Sequence, residues 1–212
     1  MRIYSISSPD SSGYLYSNDK YVSKAIADLR PDSPVTSVFA EPLKVDWEKK
    51  VVAGDVDIVR FASNGSTPVF SNRAKINLEE SKFAIGQWIQ LDVNDNSFWL
   101  FNSSNVLNVL DEESSTFRRL PSGRITSIEK YAFHREKLPH DQLFYVATKP
   151  HYLLCTTEFR NHVNDVGWQG FRFKPFWDSE HEPFRINPFP KDIESRPEIY
   201  GPKGILSSLE DS

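Results

Sequence analysis

The chain has 212 residues, of which 39% are hydrophobic and 25% charged, and it carries a formal charge of -4. That length supports one sizeable core, the composition excludes a disordered chain and a membrane bundle, and the acidic balance opposes general binding to phosphate backbones. A single cysteine, Cys155, excludes an intrachain disulfide.

Residues 2–6, RIYSI, alternate in polarity and predict a short first strand. A turn-rich stretch follows, carrying Tyr14 and Tyr16. Residues 28–44 contain Pro31, Pro34 and Pro42 and read as loop, with a short extended piece at Val35–Phe39. In VAGDVDIVRF the apolar anchors are Val56, Ile58 and Phe61, and ASNGSTPVFSNRAK reads as a loop handing over to a helix. Ser71 is the expected N-cap of that helix, which runs from Asn72 to about Ser81 with Ala74 and Leu78 inward and Lys75 facing Glu79 on the wet side. Ile89, Leu91 and Val93 alternate, NDNS is a turn, and FWLF continues as the second arm of an antiparallel hairpin.

The next stretch, SSNVLNVLDEESS, fits a helix by spacing and a strand by β-branching; strand is the preferred reading. FRRLPSGRITSIEKYAF offers a turn at Pro121–Gly123 between two extended runs, and LPHDQLFYVATKPHYLLC holds two short apolar runs. Thr156 or Thr157 then caps a helix over 157–166, with Phe159, Val163 and Val166 as its buried stripe and Gly167 in the left-handed position that ends it. A strand over 168–174 follows, with Phe171 and Phe173 inward and Arg172 outward, broken at Pro175. The expected architecture is α+β: mostly antiparallel strands with a few short helices, in a single domain over 1–182, followed by a proline-rich tail over 183–212.

Chemical motifs are sparse. The glycines form no G-x-G-x-x-G loop, so no nucleotide cofactor is expected. No H-E-x-x-H helix and no G-x-S-x-G elbow occur. Asp178, Glu180, His181 and Glu182 sit together in WDSEHEP, but Pro183 makes this a loop and a solvated acidic cluster is the simpler reading, so no metal is expected. Cys155 reads as a packed small side chain; on a strand, His151 four residues earlier shares its face but not its hydrogen-bond reach. GFRFKPF has the aromatic and basic alternation of an RNA-binding strand, yet Pro175 falls inside it and no partner strand is evident. The first ten residues contain no secretory apolar run, and no window approaches the roughly 20 apolar residues that span a bilayer, so a cytoplasmic location without membrane or nucleic-acid partners is expected.

The ordered set of Thr157, Phe159, Val163, Gly167, Gly170, Phe171, Phe173 and Pro175 resembles the close of a family of bacterial immunity proteins named after a Myxococcus member and first catalogued as a domain of unknown function. Upstream, Pro68–Glu79, Phe98–Ser115 and DQLFYVATKPHYLLCTTEF resemble the same family in the same order, so the likeness spans about 45–180. One departure is Tyr145, which follows Phe144 where the family usually has arginine. The resemblance implies a protein encoded beside a polymorphic toxin that binds and neutralises it, without catalysis and without a cofactor.

If so, binding energy is expected from a few aromatic and arginine anchors. The candidate interface residues are Trp177, Arg172, Trp99 and Trp168, with Tyr14 and Tyr16 as further aromatics. The alternative is a small hydrolase or modifying enzyme built around His151 and His181 with nearby carboxylates.

Overall fold

A computed structural model describes residues 1–8, 13–31, 39–48, 56–94, 96–148 and 150–180. In chain order the elements are β1 (Arg2–Ser7), β2 (Tyr14–Tyr16), α1 (Lys20–Asp28), β3 (Leu43–Lys44), β4 (Asp46–Trp47), β5 (Ile58–Phe61), β6 (Asn64–Ser71), α2 (Asn72–Glu80), β7 (Gly86–Val93), β8 (Asn96–Ser103), β9 (Val106–Leu107), β10 (Thr116–Arg119), β11 (Ile125–Lys130), β12 (Tyr145–Val146), β13 (Leu154–Thr156), α3 (Thr157–Asp165) and β14 (Arg172–Asp178). The α+β expectation is met. The proline-rich tail and most of Val35–Phe39 lie outside the described residues.

Seven strands form one sheet in the order β3-β7-β8-β6-β5-β2-β4, and three form a second in the order β13-β1-β14. Most pairings are antiparallel; β2 with β5, β3 with β7 and β9 with β12 are parallel. The β7–β8 hairpin pairs in unbroken register from Gly86↔Ser103 to Val93↔Asn96.

Alternation sends Val59, Phe61, Val69, Ile89, Leu91 and Leu100 to one face of the large sheet, where they pack with Ile26 and Leu29. Ile26 lies in α1 and Leu29 is its C-cap, on a helix the sequence reading passed over. Its cap is Asp19, whose carboxylate accepts hydrogen bonds from the backbone N–H groups of Tyr21 and Val22, and Val22, Ile26 and Leu29 repeat at helical spacing.

The other face presents Ile58, Phe70 and Phe101 to α2, α3 and the three-stranded sheet in a shared cluster with Ala74, Leu78, Phe159, Val163, Tyr4 and Cys155. Beyond the small sheet, Ile3, Leu154, Phe176 and Trp177 join Tyr131, Phe133 and Ile128 in a third cluster. Both sheets are thus covered on both faces.

Helix α2 follows the expectation: Ser71 Oγ accepts from the Ala74 N–H at 3.1 Å, Ala74 and Leu78 are buried, and Lys75 bridges Glu79 at 2.5 Å. Four expectations are corrected. Of ASNGSTPVFSNRAK, Asn64–Ser71 is not loop but β6, which pairs on both sides; Pro68 is accommodated because β8 begins to pair only at Val69. Val166 does not extend the buried stripe of α3: it is the C-cap, where the chain turns away, and is 38% exposed.

The last strand starts at Arg172 rather than 168, since Gly167 and Gly170 both take positive φ (68° and 82°) and hold 167–170 in a turn. At Gly170 an added Cβ would also lie 3.2 Å from the Ile58 carbonyl oxygen, so backbone packing as well as φ favours glycine there. The strand then passes through Pro175 instead of stopping. β14 is an edge strand, and the register shifts between Ile3↔Trp177 and Tyr4↔Pro175, a bulge that tolerates the missing N–H. The bulge also lets the neighbours Phe176 and Trp177 enter the same cluster.

Candidate partner-binding site

The four candidate interface residues do not meet in one patch. Trp168 and Trp177 are 6% and 7% exposed and belong to different core clusters. The Trp168 ring stacks on Phe171 at 5.7 Å, and Trp177 meets Phe133 edge-on at 5.6 Å. As surface anchors both are therefore corrected: the turn at 167–170 and the bulge in β14 direct them inward. Arg172 is half-buried at the start of β14, opposite Ser7.

Trp99 keeps surface access. Alternation along β8 places it beside α2, where its Nε1–H donates to Asn72 Oδ1 at 3.0 Å and Lys75 Nζ sits 4.5 Å from the ring centroid. Gln90 pairs across from it on β7 and reaches Ser97 Oγ at 3.2 Å. The indole is thereby held in one orientation on a polar strip of sheet.

The groups proposed for enzyme chemistry are dispersed. His151 is exposed in the turn before β13, and His181 lies outside the described residues. Cys155 is fully buried and burial pushes its thiol pKa well up, which suppresses the thiolate that nucleophilic chemistry needs. Asp178 is buried and accepts from Arg2 Nε at 2.6 Å, so its carboxylate ties β14 to β1. His162 Nε2 lies 2.8 Å from Asn77 Oδ1 and joins α3 to α2. His134 Nδ1 stands 3.7 Å from Glu136 Oε1, beyond hydrogen-bond length. Among the described residues, no group of three or more His, Cys, Asp or Glu side chains is placed to hold a metal. A cleft of about 610 Å³ is lined by Met1, Arg135, Glu136, Leu138, His140 and Glu158. The His140 carbonyl on its wall accepts from Thr156 Oγ1 at 2.7 Å.

Sequence reasoning missed Asp57. Its carboxylate is 1% exposed and accepts hydrogen bonds from Ser71 Oγ at 2.7 Å, Arg73 Nε at 3.1 Å, Arg73 Nη2 and the Gln169 N–H at 2.9 Å. One acid thus joins β5, the cap of α2 and the turn before β14. The available signal was a carboxylate inside the apolar run of VDIVRF. Tyr145, where the resemblance departs, is 2% exposed and packs in the shared cluster.

Among the described residues, six large apolar side chains are exposed: Tyr21, Ile76, Ile85, Leu120, Tyr152 and Val166. They come from five different parts of the chain, with only Ile76 and Ile85 close in sequence. No helix among the described residues is long and apolar enough to cross a membrane.

A comparison with curated proteins finds no match. The family model described as Immunity protein family (Imm11) matches residues 11–178, a span that runs from β2 through β14 and takes in the whole seven-stranded sheet, all three helices and the aromatic corner at the end. The residues that carried the resemblance act within it as structural elements: Phe159 and Val163 are core, Gly167 and Gly170 set the turn, and Pro175 sits at the bulge. The chain belongs to the Imm11 immunity protein family.

Proposed function

We propose that this protein neutralises a cognate bacterial toxin in the cytoplasm by forming a stoichiometric complex, without catalysis and without a cofactor. The observation that carries the proposal is family membership over 11–178. It is supported by the fate of the reactive side chains singled out in the sequence. Cys155 and Asp178 are committed to the core and to an ion pair, not to an open site. Of the three tryptophan candidates, Trp99 is the one with surface access, and its indole is held ready for a partner.

Immunity requires little free toxin, which calls for nanomolar binding or tighter, about -12 kcal/mol. The test is co-expression of this chain with the toxin encoded beside it, followed by calorimetric titration. The expected result is restored growth, a one-to-one complex, and toxin that regains activity once the complex is dissociated. Toxin that stays inactive and carries a covalent change after separation would replace the binding reading with an enzymatic one. Unprotected growth with no complex would remove that toxin as the partner.

A further inference from the structure

The β10–β11 hairpin stands apart from both large sheets as its own two-stranded ribbon. Residues 117–128, FRRLPSGRITSI, contain three arginines and no acid in a chain whose net charge is -4. The hairpin is anchored on one side only. Ile128 is in the core, and Phe117 and Ile125 pack against it. Its tip projects from that anchor.

The tip is held in one shape. The Gly123 N–H donates to the Leu120 carbonyl at 2.8 Å and the Leu120 N–H to the Arg124 carbonyl at 2.9 Å. Pro121 occupies the position of that turn that favours its fixed φ, and Gly123 takes φ 82°, the left-handed residue that returns the chain into β11. Arg119 Nη1 donates to the Gly123 carbonyl at 3.2 Å, and its guanidinium lies 5.0 Å from the Phe117 ring centroid. Thr126 Oγ1 donates to the Arg118 carbonyl at 3.0 Å.

Charge is separated along the ribbon. Arg118 is paired with Glu129 at 3.3 Å. Asp111, in the turn that precedes the hairpin with Glu112 and Glu113, accepts from the Glu113 and Ser114 N–H groups of that turn. Among the described residues, Arg119 and Arg124 have no carboxylate within 4.0 Å, and both are exposed. Between them Leu120 is 40% exposed.

We infer that the tip of this hairpin, Arg119, Leu120 and Arg124, docks on an acidic patch of the partner protein. Guanidinium groups held in place lose less freedom on pairing with carboxylates, and arginine is enriched among residues that dominate binding. A protein is favoured over a nucleic acid on two grounds. The acidic chain repels an extended polyanion but not a local acidic patch. The tip also lacks an open aromatic face for stacking bases, since Arg119 covers Phe117. The inference rests on the toxin-binding reading and adds to it the charge of the surface recognised.

The test is Arg119→Glu with Arg124→Glu, checked by circular dichroism and thermal melting and titrated with the toxin encoded beside this chain. A Lys20→Glu with Lys82→Glu variant applies the same change of net charge at other exposed sites. The expected result is at least about a 100-fold loss of affinity for the hairpin variant against less than about threefold for the control, and a salt dependence of association that only the hairpin variant loses. Unchanged affinity in the folded hairpin variant overturns the inference and leaves the immunity reading intact. If the wild type forms no complex, the immunity reading falls for that toxin. The full chain and its charge-reversal variant are then titrated with poly-L-glutamate and a DNA duplex: binding of the polypeptide that the charge reversal abolishes supports the inference, and preference for the duplex, no binding, or indifference to the reversal overturns it.

Discussion

The aromatic corner at 168–177 and the hairpin at 116–130 use opposite materials to opposite ends. The corner places Trp168, Phe171, Phe173, Phe176 and Trp177 within ten residues, and each ring has another ring against it. The hairpin has one ring, Phe117, and spends it on supporting an arginine. In this chain, a density of aromatics marks closed core, and an arginine-rich hairpin tip marks open surface. Burial, not residue type, separates a stability residue from a recognition residue.

The comparison is most exposed to failure at its buried end. Phe159 touches the corner through Phe171 and Phe173 and is fully buried. Phe159→Ala is expected to cost about 3–5 kcal/mol by urea unfolding. A loss under about 1 kcal/mol would show that the corner is loosely packed and that its rings remain available to a partner. Phe171 is only partly buried, so its replacement by alanine is expected to cost less than that of Phe159.

Next in size is the acid beneath the corner. Asp57→Ala strips acceptors from Ser71, Arg73 and Gln169 at once and is expected to cost about 2–4 kcal/mol. Arg73→Ala should cost about 1 kcal/mol or less, because the Arg73 side chain is 61% exposed. Equal losses in the two variants would contradict the role of Asp57 as the shared junction.

Alkali separates the regions by chemistry. Burial raises the pKa values of Tyr131, Tyr145 and Cys155. Above about pH 8.5 to 10 the unfolded chain releases these protons while the folded chain retains them, so stability, full below that window, falls as pH rises. Lys174, whose pKa burial lowers, acts in the opposite sense. Urea midpoints measured from pH 7 to 10 are expected to decline, and Cys155→Ala should flatten the first part of the decline. An unchanged slope in that variant would deny the thiol its share.

The smallest effect belongs to the hairpin. Arg119→Glu with Arg124→Glu should alter unfolding by no more than about 0.5 kcal/mol, since both side chains are exposed. A larger loss would make the tip part of the folding unit and weaken its assignment to binding.

Local patterns in the sequence revealed much of this. The cap at Ser71, the Ala74 and Leu78 stripe, the β7–β8 alternation and Gly167 follow from short-range rules and are found as expected. What local rules missed depends on distant partners. The turn-forming residues of β6 become strand because β5 and β8 flank them. Pro175 is admitted because its strand has a free edge and a bulge. Trp168 and Trp177 were legible as a cluster, but their burial depends on the three-stranded sheet, whose strands come from both ends of the described chain. The helix α1 is a different case: Asp19 and the spacing of Val22, Ile26 and Leu29 announced it locally.

The three-stranded sheet also sets a schedule. Its central strand, β1, is made long before its neighbours β13 and β14, and Arg2 and Asp178 are 176 residues apart. At roughly 5–20 residues per second, β1 waits on the order of 10–35 s for its last neighbour to leave the ribosome. Until then the cluster containing Ile3, Phe176 and Trp177 cannot close. A ribosome that stalls shortly before residue 172 would leave the large sheet's strands complete but β1 unpaired on the side that β14 covers, so the core beyond the small sheet would form only once that late strand had been translated.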